Sequence, residues 1–227
     1  MVERRYELFM QIAALLVALM ASATAAFAQD TQQDTPQVTP IRLVALGDSL
    51  TAGLGLPGED AFPAKLQKAL QAKGLAVDIA NAGVSGDTSS GGRDRLEWSV
   101  PEGIRGVIVE LGANDALRGL DPDVTRAALS DILMRLKARG IAVMLCGMQA
   151  PPNYGSDYAA RFNAIYPELA KKFDVPLYPF FLDGVAANAD LNQPDGIHPT
   201  AAGVDVIVHN IMPTVEAFLG TIDRQER

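Results

Sequence analysis

Two runs decide the architecture: Val107-Ile108-Val109-Glu110-Leu111, and Ile141-Ala142-Val143-Met144-Leu145-Cys146-Gly147-Met148. Neither alternates apolar with polar residues, as a strand with one wet face would. Both are nearly continuous in apolar side chains, the pattern of strands in a parallel sheet covered on both sides. Residues 41–46, 75–81 and 175–178 read as further strands. Between them lie helical patterns with legible ends. Residues 63–73 stop at Gly74, a residue suited to the left-handed position after a helix. Asp121 is placed as an N-cap with Pro122 at the first helical position. Val124, Ala128, Ile132 and Leu136 then form one face before Gly140 ends that helix. Tyr158, Phe162, Ile165, Tyr166, Leu169 and Phe173 trace another stripe, with a kink expected at Pro167. Residues 201–219 form the closing helix, which Pro213 is expected to bend or break. Strand–helix alternation with crossovers of this length predicts one three-layer α/β domain.

The chain has 227 residues, 48% hydrophobic and 20% charged, enough for a real core and incompatible with wholesale disorder. One cysteine cannot form an internal disulfide, and one cysteine with two histidines cannot build a cysteine–histidine zinc cage. Cys146, inside an apolar run, is expected to be a buried, inert thiol. A net charge of −8 has the wrong sign for a protein that clings to phosphate backbones, which excludes nucleic acid as the main partner. Residues 1–28 read as a secretory signal: Arg4 and Arg5 at the start, an apolar stretch over 9–20, and the cleavage site Ala26-Phe27-Ala28. The uninterrupted apolar run over 12–20 is too short for a spanning helix, so no stable membrane anchor is expected and the mature chain is read as periplasmic or secreted. Residues 29–40, rich in Gln, Thr, Asp and Pro, read as a flexible leader. The folded domain is placed at 41–219 and a short tail at 220–227.

In sheets of this kind, ligands gather outside the carboxyl ends of the strands. Gly47-Asp48-Ser49-Leu50-Thr51 follows the first strand, Asn81-Ala82-Gly83-Val84-Ser85-Gly86-Asp87-Thr88 the second, and Gly112-Ala113-Asn114-Asp115 the third. Asp195-Gly196-Ile197-His198-Pro199 precedes the last helix. Alone, Ser49 reads as a turn serine and His198 as a solvated loop histidine. Together they suit nucleophilic catalysis. A serine hydroxyl needs a base, and an aspartate three residues before a histidine reaches Nδ1 and turns Nε2 outward. Acyl transfer also needs donors for a developing oxyanion, for which the N–H of Ser49, the N–H of Gly83 and the amide of Asn114 are candidates.

These blocks resemble, in order, the four blocks of the SGNH (GDSL) hydrolases, over essentially all of residues 41–219. Ser85-Gly86-Asp87-Thr88-Ser89, Val109-Glu110-Leu111-Gly112, Pro152-Asn153-Tyr154-Gly155 and Ile165-Tyr166-Pro167 narrow the resemblance. They are similar to the exported thioesterase/arylesterase/lysophospholipase branch. The resemblance implies a flavodoxin-like five-stranded parallel sheet of order 2-1-3-4-5. It also implies Ser49 as nucleophile, His198 as base, Asp195 as its orienter, and Ser49, Gly83 and Asn114 as the oxyanion hole. No metal or organic cofactor is needed. The third block departs from many relatives in reading Gly-Ala-Asn, a difference of one methyl at Ala113.

Met148, Pro151, Pro152 and Tyr154 follow the fourth strand and are expected to wall an apolar cleft, with Leu117 and Leu120 as further candidates. The expected partners are acyl esters or thioesters, lysophospholipids among them. Carbohydrate O-deacetylation is the alternative activity, and a non-catalytic binding domain is disfavoured because a binder has no use for a nucleophile–base pair. Gly53-Leu54-Gly55-Leu56-Pro57-Gly58 matches a dinucleotide fingerprint in the wrong context, since such a loop begins at the strand end where Gly47 already stands. No G-x-S-x-G elbow points to an α/β-hydrolase.

Overall fold

The computed structural model describes residues 39–224; the signal reading, and the leader reading up to residue 38, fall outside them. Five parallel strands form one sheet in the order β2-β1-β3-β4-β5. They are β1 (Ile41–Gly47), β2 (Val77–Gly83), β3 (Gly106–Glu110), β4 (Ala142–Cys146) and β5 (Leu177–Tyr178). Every residue of β3 and β4 is buried, as their unbroken apolar character requires. The helix Phe62–Ala72 packs with the closing helix Ala201–Arg224. The helix Pro122–Ala138 packs with Ser89–Asp94 and Ile165–Phe173. Helices cover both faces of the sheet.

The strand starts correct the expected boundaries for one shared reason. Gly74, Gly140 and Asp174 adopt left-handed φ values of 82°, 70° and 51°. Each places the next amide on a helix carbonyl: Leu75 N–H on Leu70, Ile141 N–H on Leu136, and Val175 N–H on Ala170, each at 3.1 Å. These bonds finish the preceding helices, so Leu75, Ile141 and Val175 belong to caps and pairing begins just beyond them. β2 in turn runs on to Gly83, in register with Gly47.

Prolines act by position. The stripe from Tyr158 to Phe173 splits into Ser156–Asn163 and Ile165–Phe173, with Ala164 between them. Pro167 sits in the first turn of the second helix, where its missing N–H costs nothing but its ring forbids continuation from the first. The closing helix passes through Pro213 unbroken, with Pro213 on its exposed side. That helix also continues past Leu219 to Arg224, correcting the expected tail. Ile211, Val215, Phe218 and Ile222 extend its buried stripe.

Candidate active site

Ser49 begins a four-residue helix, Ser49–Ala52, at the carboxyl end of β1. Asp48 caps it, its Oδ1 accepting from Leu50 N–H at 3.0 Å. The turn packs tightly: a Cβ on Gly47 would lie 2.0 Å from Thr51 Oγ1, and one on Gly83 2.2 Å from Ala52 N. Glycine at both positions lets the nucleophile turn sit directly on the ends of β1 and β2.

His198 comes to this turn from the other end of the chain. Its Nε2 lies 2.9 Å from Ser49 Oγ and its Nδ1 2.6 Å from Asp195 Oδ2. Asp195 Oδ1 accepts from the backbone N–H groups of Ile197 (2.9 Å) and His198 (3.0 Å). The His198 and Ile197 amides, followed by the imidazole, hold the Asp195 carboxyl down at about 2. An acceptor-only carboxylate on Nδ1 fixes the proton there and leaves the Nε2 lone pair facing the serine. Gln193 fastens the histidine loop to the nucleophile's side by donating from Nε2 to the Leu54 carbonyl at 2.7 Å. Ser49, Asp195 and His198 thus meet in a hydrogen-bonded chain, the arrangement in which a base activates a serine hydroxyl.

Ser49 N–H, at the first position of a helix, has no partner among the described residues. Asn114 Nδ2 donates one hydrogen to Asp48 Oδ2 at 3.0 Å and keeps a second. Gly83 differs from expectation, because its N–H donates to Asn81 Oδ1 at 2.9 Å and is not free for an oxyanion. The N–H of Gly86, in the same loop, has no partner among the described residues. Gly86 has φ +85°, and its carbonyl accepts from Arg118 Nη2 at 2.8 Å. The pattern Asn81-x-Gly83 is an Asx turn, a signal that could have set this glycine aside.

A cleft of about 610 Å³ opens beside Ser49 and His198. Met148, Pro151 and Pro152 line it as expected, joined by Leu117, Phe180 and Leu182. Leu120 and Tyr154 do not line it. Tyr154 instead donates its hydroxyl to the Leu117 carbonyl at 2.9 Å and braces that wall from behind. Phe180 and Leu182 escaped the sequence reading because they follow β5, only two residues long. Ala113 lines the cleft from the first position of the helix Ala113–Leu117; the left-handed backbone that demands glycine falls on Gly112, φ 116°. Cys146 is fully buried, and burial pushes its thiol well up, in keeping with an inert core residue. The glycine loop at 53–58 follows the nucleophile helix rather than a strand, so it lacks the strand–turn–helix setting of a dinucleotide site.

The model of the GDSL-like Lipase/Acylhydrolase family matches residues 45–206. The chain belongs to that family. Among its curated relatives, the Esterase TesA of Pseudomonas aeruginosa is 38% identical over 203 residues, covering 89% of this chain and 99% of that protein. The Thioesterase 1/protease 1/lysophospholipase L1 of Escherichia coli (strain K12) is 45% identical over 158 residues, 69% of this chain and 74% of that protein. Among solved structures, AlinE4, an SGNH-hydrolase family esterase, superimposes with a TM-score of 0.67 at 47% identity, covering 78% of this chain and 96% of that one. The sheet order 2-1-3-4-5 is that of SGNH hydrolases. This GDSL/SGNH chain is a hydrolase of the esterase/thioesterase type.

Proposed function

We propose that the protein cleaves carboxylic esters and acyl thioesters through an acyl-enzyme on Ser49. The observation that carries this is the continuous chain from Ser49 Oγ to His198 Nε2 and from His198 Nδ1 to Asp195 Oδ2. Ser49 Oγ attacks the carbonyl carbon as His198 Nε2 takes its proton, and the carbonyl oxygen becomes an oxyanion. Ser49 N–H, the free hydrogen of Asn114 Nδ2 and Gly86 N–H receive that oxygen, Gly86 replacing Gly83 in the donor set. The tetrahedral centre then collapses. His198 returns its proton to the departing alcohol or thiol, and an acyl group stays on Ser49. Water, giving its proton to the same histidine, attacks that ester; the new tetrahedral centre collapses, His198 returns the proton to the departing Ser49 Oγ, and the acid is released.

The apolar cleft wall supports medium-length acyl chains, lysophospholipids among them, over acetyl groups on a sugar. An octanoyl ester is expected to exceed the acetyl ester in kcat/KM by at least about tenfold, from a ~0.8 kcal/mol gain for each buried methylene. Equal or greater activity on acetylated sugars would favour the O-deacetylase instead. The sequence over 1–28 supports export to the periplasm or medium after cleavage near Ala28. Among the described residues no helix is long and apolar enough to cross a membrane.

The nucleophile assignment is tested with Ser49→Ala on a chromogenic short-chain ester. The expected result is loss of kcat by about 10⁴-fold or more with the fold intact by circular dichroism. A folded variant with near-unaltered turnover would refute it.

A further inference from the structure

Asp48 and Glu110 are carboxyls with no exposed surface, placed beneath the nucleophile turn, and neither has a part in the proton transfers above. While Asp48 Oδ1 caps the short helix, Oδ2 accepts from Asn114 Nδ2 at 3.0 Å. At the other end of that amide, Arg118 Nη2 lies 3.5 Å from Asn114 Oδ1 and is anchored on the Gly86 carbonyl at 2.8 Å. The two ends of a carboxamide are alike in shape and opposite in hydrogen bonding, so its neighbours decide which way it faces. A carboxylate accepts only the NH2 end and a guanidinium faces only the oxygen end.

We propose that ionised Asp48, with Arg118 opposite it, is the positioning residue that sets the Asn114 amide so that one N–H is held by the carboxylate and the other is left for the oxyanion. A protonated Asp48 offers an O–H instead and favours the amide turned over. The Asn114 carbonyl oxygen would then lie where negative charge develops, and the hole would repel what it should stabilise.

Glu110 fits this scheme as the neutral member of the pair. Its Oε2 accepts from Thr51 Oγ1 at 2.7 Å, and its Oε1 is buried with no partner. An unpartnered carboxylate oxygen is costly there. Burial, and then the charge of Asp48, hold Glu110 well above the usual carboxylate range. The groups facing Asp48 are Glu110 from β3, Asp115 from the helix Ala113–Leu117 and His198 from the C-terminal loop. Burial dominates their balance and raises Asp48 to about 6, so the setting of Asn114 is lost as pH falls through that value.

The test is steady-state kinetics from about pH 4.5 to 8.5 on the wild type, Asp48→Asn, Asn114→Ala and the double variant. The acid limb of the wild-type log kcat/KM profile is expected to be steeper by one proton than that of Asp48→Asn. Asp48→Asn is expected to lower kcat about 10- to 100-fold with KM within about twofold, and to remove that extra proton from the limb. In the Asn114→Ala background the same substitution should cost less than about twofold. Additive costs, or an acid limb in Asn114→Ala as steep as that of the wild type, would overturn the proposal. Should Asp48→Asn fail to fold, the Asn114→Ala profile decides alone, since that variant keeps both carboxyls. The proposal rests on the acyl-enzyme reading. An active Ser49→Ala would sink that reading, whereas these variants are judged against a Ser49-dependent activity.

Discussion

Asp195 sits with 44% of its side chain exposed and three donors aimed at its carboxyl, so its pKa lies near 2; Asp48, fully buried, rises to about 6. The two make opposite contributions to stability. Asp195 is depressed below its unfolded value, so its contribution is present above about pH 4 and is lost as pH falls through its folded pKa. Asp48 is raised, so its contribution is full below about pH 4 and is lost as pH rises through about 6. Asp48→Asn is therefore expected to be more stable than the wild type at pH 8, by up to about 3 kcal/mol, with the gap closing toward pH 4. Urea denaturation at the two pH values checks this, and an unchanged gap would mean that Asp48 is not strained by burial. The variant expected to lose turnover is thus expected to gain stability at the same pH. Ser49, Asp195 and His198 could be read from the sequence because Asp195 stands three residues before His198 and because the Gly47-Asp48-Ser49-Leu50 block belongs to the ordered set that carries the family resemblance. Gly83 and Gly86 were not separable, since the choice turns on which amide the Asn81 side chain captures. The state of Asp48 was equally hidden, because only the pairing of β1 with β3 brings Glu110 beneath it.

The elements meet at the nucleophile through Arg95, in the turn between the helices Ser89–Asp94 and Leu96–Ser99. Its Nη2 donates to the Gly47 carbonyl at 2.8 Å and its Nη1 to the Ala82 carbonyl at 2.9 Å, while Nε reaches Asp87 Oδ2 at 2.6 Å. One planar fork thus stitches the ends of β1 and β2 to the loop that carries Gly86. Arg95→Met is expected to cost about 2–3 kcal/mol, because it strips the Asp87 carboxylate of its cationic partner and takes a donor from the Gly47 and Ala82 carbonyls in a mostly buried setting. It should also lower kcat more than it changes KM. Arg95→Lys should not restore either quantity, since an ammonium cannot reach three diverging acceptors. Thermal unfolding and kinetics on both variants check this, and full rescue by lysine would show that charge alone matters. Strand identity and order at this scale came from apolar runs and the family resemblance. Strand starts did not, because Leu75, Ile141 and Val175 are as apolar as strand residues while their amides close helix caps. The helices Ser49–Ala52, Ser89–Asp94, Leu96–Ser99 and Ala113–Leu117 are too short to show a helical period.

Across the whole molecule, the nucleophile and its base are 149 positions apart in the chain, and the sheet exists between them. β1 delivers Ser49, β3 delivers Asn114 and Glu110, and the segment after β5 returns His198 over the same edge. The buried stripe of the closing helix anchors that segment against the sheet. A hydrolase assembled this way needs the complete domain before it can react. Site-resolved labelling of the folded protein with a fluorophosphonate tests this reading most directly. Intact mass is expected to show about one adduct per chain, mapped by peptide sequencing to Ser49 and abolished, with the fold retained, in His198→Ala. No adduct, or an adduct on another residue with Ser49 unmodified, would contradict it.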